Sequence, residues 1–336
     1  MKMNMKKWLE DMLAAPRKTA MPVLSFPAIQ LMDISVRELI SSSDLQAKGM
    51  KLVAGRVPSA ASVSLMDLSV EAECFGAEIR VSDDEVPTVV GSIVNDSDEA
   101  EALEIPKVGA CRTGIYIEAI EKAVKLIEDR PVFAGVIGPF SLAGRLMDVT
   151  EAMIYCYEDP DMVATLLDKV STFLIDYCKA YKAVGANGIV MAEPLAGLLS
   201  PALSEEFSGP YVKRIVDAVQ DDDFIVIYHN CGNCTIQMID SILATGSAAY
   251  HFGNAISMAE MMTHIPEGTI AMGNVDPAVE IRNGTPESVR EATLKVMGEC
   301  CKYPNFVIST GCDIPPMSPW ANIDAFFSAV DEFYSK

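Results

Sequence analysis

The residue types able to do chemistry concentrate in two short stretches, His229-Asn230-Cys231 and Ser309-Thr310-Gly311-Cys312-Asp313. The first closes an apolar, β-branched run, Phe224-Ile225-Val226-Ile227-Tyr228, which reads as a buried strand. Residues i and i+2 of a strand point to one side, so the imidazole of His229 and the sulfur of Cys231 leave the strand end together. Cys312 closes another apolar run, Phe306-Val307-Ile308, before a Gly/Pro-rich loop. Two strand ends that deliver one imidazole and two thiols suit a Zn²⁺ ion with three protein ligands and an open fourth position. Such a site does chemistry rather than hold a fold together. Two plainer readings compete. The nine cysteines are mostly explicable as small core hydrophobes, and Cys231 with Cys234 forms a Cys-x-x-Cys that a redox dithiol would also show. Cys234, however, falls in the loop beyond the strand end.

One nitrogen and two thiolates make zinc a modest Lewis acid toward oxygen and a good partner for a further thiol, whose pKa it lowers. Attack by sulfur is the chemistry this donor set favours. Hydrolytic zinc centres prefer His and carboxylate ligands, and this chain has three histidines. Of these, His264 reads as a surface residue, and His251 either reaches the site or makes a structural hydrogen bond.

Eight short β-rich runs must position these groups: 22–26, 61–65, 132–137, 188–192, 224–228, 248–252, 269–273 and 306–309. They alternate with helix-like stretches at 115–127, 160–184, 205–219, 235–245 and 286–302. That alternation predicts an α/β protein, a single (β/α)8 TIM barrel in one domain over residues 1–336; a doubly wound sheet is the competing architecture. Residues 6–15 read as an N-terminal helix across the barrel bottom. Residues 67–113, after strand 2, read as an elaborated loop region near the mouth. The polar residues fall at C-terminal strand ends, where barrel active sites are built. Glu193 follows the fourth run, His229 and Cys231 the fifth, Asn274 and Asp276 the seventh, and Cys312 and Asp313 the eighth. Glu193 has three open roles: a displaceable fourth ligand, a general acid/base, or a buried carboxylate paired with a cation. Asn274 and Asp313 join Glu193 as candidate catalytic residues, although Asp276 and Asp313 also suit helix caps or turns. The small-residue run 135–144 lacks the spacing and lysine of a phosphate loop and suits close approach of a bulky ligand.

A net charge of −21 argues against nucleic acid and against an anionic membrane surface as partner. No apolar run approaches the length of a membrane span, and the start, Met1-Lys2-Met3-Asn4-Met5-Lys6-Lys7-Trp8, lacks a signal peptide's apolar core. An odd number of cysteines without a small-scaffold pattern fits a reducing compartment, so a cytoplasmic location is expected.

Together these motifs resemble the uroporphyrinogen decarboxylase superfamily, in its branch of zinc-dependent methylcobamide:thiol methyltransferases. The resemblance runs from Pro22-Val23 through 135–144, Met191-Ala192-Glu193-Pro194, His229-Asn230-Cys231-Gly232-Asn233 and Gly273-Asn274-Val275 to Gly311-Cys312-Asp313-Ile314-Pro315-Pro316-Met317. It implies His229, Cys231 and Cys312 as zinc ligands and an acidic site residue at Glu193. It also implies methyl transfer from a methylcobamide, carried by a corrinoid-binding partner protein, to a small thiol such as coenzyme M. Alternatives within that resemblance are the other half-reaction, from a small methylated substrate to the corrinoid protein, and a decarboxylase-like activity. A corrinoid-protein docking module with a structural zinc is the non-enzyme alternative. The decarboxylase branch holds tetrapyrrole carboxylates with arginines just after the first strand. Here 24–30 is apolar, and the first arginine after that run is Arg37. An anionic thiol would need a local positive charge, for which Arg145 is the candidate.

Overall fold

The computed structural model describes residues 3–335; Met1, Lys2 and Lys336, the ends of the expected domain, lie outside the described residues. Nine strands form among them: β1 Ser62–Val63, β2 Glu78–Arg80, β3 Thr88–Val90, β4 Val132–Ile137, β5 Gly188–Ala192, β6 Ile225–Asn230, β7 Ala249–Phe252, β8 Ile270–Val275 and β9 Phe306–Thr310. Seven of them pair in parallel in the order β1-β4-β5-β6-β7-β8-β9, a curled sheet, while β2 and β3 form a separate antiparallel pair. From β4 onward, helical segments connect each strand to the next, and the helix Trp320–Tyr334 follows β9. Because helices cover the outer face and the curl closes over the inner one, the long strands are buried throughout, hence their continuous apolar runs.

Strand parity separates two cores. Ile225 and Ile227, Ala249, Ile270 and Met272, and Val307 fill the inner face of the curl. Val226 and Tyr228, Tyr250 and Phe252, Ala271 and Val275, and Phe306 and Ile308 pack outward against the helices. The N-terminal helix Met5–Ala14 covers the N-terminal side of the strands, as expected. Its Met5 and Met12 join the inner cluster, Trp8 packs on Phe133 at 5.8 Å, and the Met5 N–H donates to Asp222 O ahead of β6.

Seven of the eight expected strands form. The first, 22–26, does not take strand geometry. Pro22 has no N–H to give a ladder, and the two residues before it bond singly to both sheet edges instead. Met21 N donates to Ile308 O in β9, and Ala20 O accepts from Ala60 N just before β1. The expected helix 205–219 is broken into Pro201–Phe207 and Gly209–Val219, with Pro210 in the first turn of the second piece. The loop region 67–113 contains the helix Val70–Cys74, the β2–β3 pair and the helix Ser97–Ala102. Arg112, in the helix Cys111–Leu126, ties its start down by pairing with Asp67 and with Glu73 (2.6 Å), and Tyr116 donates to Asp67 at 2.7 Å.

Glu71, in the same region, is buried, with Oε1 accepting from the N–H of Ile137 at the end of β4 (3.1 Å). Burial pushes its carboxyl up to about 7 from an ordinary 4.5, against that bond and the attraction of Arg112. A raised carboxyl contributes stability that is full below the unfolded value and lost as pH rises through the folded one. Wild type should therefore lose on the order of 3 kcal/mol relative to Glu71→Gln between about pH 4.5 and pH 8. The glutamine keeps an acceptor for Ile137, and urea unfolding across that range reads the difference. Parallel stability profiles for the two proteins would show that Glu71 does not titrate there.

Candidate metal centre

The inner-face parity that places Ile225 and Ile227 in the core carries His229 to the same face, one step nearer the C-terminal rim. Cys231 follows just past the end of β6, and Cys312 arrives past the end of β9. Ligand atoms of His229, Cys231 and Cys312 all lie within 4.8 Å of one another. Room for Cys231 depends on Gly253: a Cβ there would stand 2.5 Å from both Cα and Cβ of Cys231. Asn230, pointing the other way, shapes the turn, its Oδ1 accepting from Gly232 N (3.0 Å) and Thr235 Oγ1 (2.8 Å).

The donor set fits a soft divalent cation. His229 Nε2 is buried with no hydrogen-bond partner among the described residues, as a nitrogen reserved for a ligand would be. Its Nδ1 lies 2.7 Å from Nδ1 of His251 and 3.2 Å from the His251 carbonyl. The two sulfurs face each other, and that proximity holds the Cys231 thiol below its usual range against burial and, together with burial, pushes the Cys312 thiol up to about 12. A metal would displace the protons these thiols carry. Burial, then the neighbouring His229, hold His251 well below the usual histidine range.

The other predicted residues take distinct places. Glu193 is buried under the N-terminus of the helix Pro139–Met147. Its Oε1 accepts from Phe140 N (2.9 Å), and its Oε2 accepts from Ser141 N (2.9 Å) and Ser141 Oγ (2.6 Å). Gly138 makes the space, since a Cβ there would lie 2.2 Å from Glu193 Cγ. Burial pushes this carboxyl up to about 7, opposed by those three bonds. Both oxygens are therefore engaged by the helix end, and Glu193 is not in the three-residue group. Asn274 is buried and uses its amide to hold the loop after β7, donating to Gly253 O (2.9 Å) and Ile256 O (3.0 Å). Asp276 is a helix cap, accepting from Ala278 N and Val279 N at 2.8 Å. Asp313 differs from all of these: its carboxylate oxygens are shielded from solvent and meet no hydrogen-bond partner among the described residues. Burial, then the Cys312 sulfur, push that carboxyl well above its ordinary value, against the nearby backbone N–H groups of Ile314 and Met66. Cys234 lies outside the group, bonded to Asn233 Oδ1 (3.4 Å), and His264 is exposed. Arg145 is partly buried with Nε unpartnered among the described residues; burial lowers its pKa, against the nearby Glu71 and Asp67, which favour its charge.

Sequence reasoning missed Ser309. Its Oγ lies 2.7 Å from His251 Nε2 and 2.7 Å from Met21 O. Its parity with Val307 on the inner face was the available signal.

A strand-end thiol and imidazole site on a parallel sheet defines the class, and comparison with known proteins gives the family. The profile of the uroporphyrinogen decarboxylase (URO-D) family matches residues 12–333, and the chain belongs to that family. It is 32% identical over 264 residues to "Methylcobamide:CoM methyltransferase MtbA" of Methanosarcina acetivorans, covering 76% of this chain and 75% of that one. It is 25% identical over 294 residues to a uroporphyrinogen decarboxylase of Coxiella burnetii, covering 84% and 79%. Among solved structures, a methyltransferase from Methanosarcina mazei superposes with a TM-score of 0.85 at 23% identity, covering 98% of this chain and 99% of the other, and shares the fold.

Cys231→Ala and Cys312→Ala should each lower zinc affinity by more than the roughly 10–100-fold that loss of an outer partner costs. The unfolding transition of the metal-free variants should match metal-free wild type, since the core beneath is independent. Chelator competition and urea unfolding read both. Glu193→Gln should instead retain its zinc but lose about 1–3 kcal/mol of stability, because a donor at the helix end loses its acceptor. Intact stability with lost metal would move Glu193 into the ligand set.

Proposed function

We propose that this enzyme of the methyltransferase type transfers a methyl group from a methylated corrinoid, carried by a partner protein, to a small thiol such as coenzyme M. The observation that carries the reading is the bare His229 Nε2 beside the sulfurs of Cys231 and Cys312 at the C-terminal rim. Its support from relatives is the 32% identity to a methylcobamide:CoM methyltransferase.

His229, Cys231 and Cys312 would hold Zn²⁺, and this donor set supplies a place where a further thiol loses its proton near neutral pH. The acceptor sulfur attacks the methyl carbon as a thiolate. The S–C bond forms and the Co–C bond breaks with its electron pair left on cobalt, which passes from Co(III) to Co(I); the thiol proton goes to solvent. The chain's own residues bind and orient. Asp313, with two unpartnered oxygens next to Cys312, offers the acceptor a hydrogen-bond partner. Asn274 and Asp276 hold the loop and helix that frame the rim. Holding both reactants in line supplies much of the rate.

A decarboxylase reading lacks its anion anchors. Arg37 is exposed and engaged with Asp83 (3.0 Å) and the Val81 carbonyl (2.9 Å). Two thiolate ligands likewise favour sulfur as a reactant over the other half-reaction.

With free methylcobalamin as donor, zinc-loaded protein should methylate 2-mercaptoethanesulfonate, and EDTA-treated protein should not; decay of the methyl–cobalt absorbance reads the step. Asp313→Asn should lower kcat/KM by about 10–100-fold, the worth of a hydrogen bond to a charged group. Zinc-loaded, folded protein that methylates no thiol from free or protein-bound methylcorrinoid would end this reading.

A further inference from the structure

His229 and His251 are register partners on β6 and β7, and the hydrogen bonds leading away from them have a fixed direction. That direction is set at the far end, by a backbone carbonyl that can only accept. Ser309 Oγ lies 2.7 Å from Met21 O, so the single hydroxyl proton points to that carbonyl. The Ser309 oxygen is left as an acceptor for His251 Nε2, 2.7 Å away, which must carry its N–H. A neutral imidazole has one such proton, so His251 Nδ1 is bare and accepts, across 2.7 Å, from His229 Nδ1. The second neighbour of His229 Nδ1, the His251 carbonyl at 3.2 Å, is again only an acceptor. His229 therefore keeps its proton on Nδ1, and the nitrogen left with a free lone pair is Nε2, the one near Cys231 and Cys312.

We propose that His251 and Ser309 are positioning residues that hold His229 in its Nδ1–H tautomer, so that Nε2 is deprotonated and aimed before any metal arrives. This rests on reading His229, Cys231 and Cys312 as the metal site. It assigns a job to three otherwise unexplained features: a buried pair of rings 4.7 Å apart, a buried serine hydroxyl on an apolar strand face, and a carbonyl of the N-terminal segment turned toward β9. The same hydrogen bonds fix ring orientation, as outer partners of ligating histidines do.

The tautomer is measurable without metal or turnover. The chain has three histidines, so long-range ¹H–¹⁵N spectra of ¹⁵N-histidine-labelled, metal-free protein should resolve three rings, assigned with His264→Gln and His229→Gln. The expected result is an Nδ1–H tautomer for His229 and an Nε2–H tautomer for His251. Ser309→Ala should mix the His229 tautomers and weaken zinc binding by about 10–100-fold in chelator competition. Ser309→Thr, which keeps the hydroxyl, should restore both. Should Ser309→Ala fail to fold, His251→Phe against His251→Asn gives the same comparison, since the asparagine oxygen can stand in for Nδ1. An Nε2–H tautomer at His229 in metal-free wild type overturns the proposal, as does folded Ser309→Ala with unchanged tautomer and zinc affinity. The expected tautomers in a protein that binds no zinc would support the relay and end the metal-site reading. Tight zinc binding with the wrong tautomers would end the relay alone.

Discussion

Parallel strands curled around a common axis send every second side chain inward, and that geometry leaves no water for a polar group placed there. Ile225, Ile227, Ala249, Ile270, Met272 and Val307 obey it by being apolar. Their continuations toward the C-terminal rim are His229, His251, Asn274 and Ser309, which are polar yet no more than 7% exposed. Such groups must satisfy one another or bind something. His251 and Ser309 pass a hydrogen bond along to Met21 O, and Asn274 spends its amide on two loop carbonyls. His229 Nε2 is the atom left over. The rim keeps a donor atom unspent because the inner face below it is already saturated with packing.

The same constraint separates two carboxylates that look alike in the sequence. Glu193 and Asp313 each follow a strand end, and each is held above its ordinary pKa by burial. Glu193 meets three donors at a helix N-terminus, which also favours negative charge. Asp313 has the backbone N–H groups of Ile314 and Met66 near its carboxylate, and neither closes a full hydrogen bond. A buried acceptor without a donor is costly to maintain, so the unsatisfied one is the better candidate for contact with substrate. The satisfied one fixes where the helix Pro139–Met147 starts.

Much of this was legible in the sequence because it depends on short-range parity and donor type. His229 and Cys231 are two apart at the end of an apolar run, and soft ligands at another strand end are rare enough to be informative. Seven of eight strands were readable for the same reason. The first was misread because Val23, Leu24 and Phe26 have strand-like composition, whereas what decides is where the backbone of 20–23 bonds, and those partners lie near residues 60, 308, 310 and 314. Glu193 stayed ambiguous because its cradle depends on the missing Cβ of Gly138, more than fifty residues away. Ser309 carried no signal by type, since a hydroxyl near a strand end is ordinary. Only its pairing with a ring on another strand gives it meaning.

The rim's charge sets the last condition on what can bind. A chain with net charge −21 repels anionic thiols at long range, and the loop region brings Asp67, Glu71 and Glu73 close to the C-terminal ends of β1 and β4. Arg112 neutralises part of this cluster, pairing with Asp67 and Glu73 and raised in pKa by both. Arg145 is engaged differently. Glu71 and Asp67 act on it through space, and its Nε has no bonded partner among the described residues. If an acceptor bearing a sulfonate or carboxylate reaches Arg145, it meets a partly buried cation whose Nε is unspent, whereas a neutral thiol gains nothing from it. Arg145 thus remains the proposed anchor for an anionic acceptor, a residue remote from the metal ligands in sequence and on a different strand's connection.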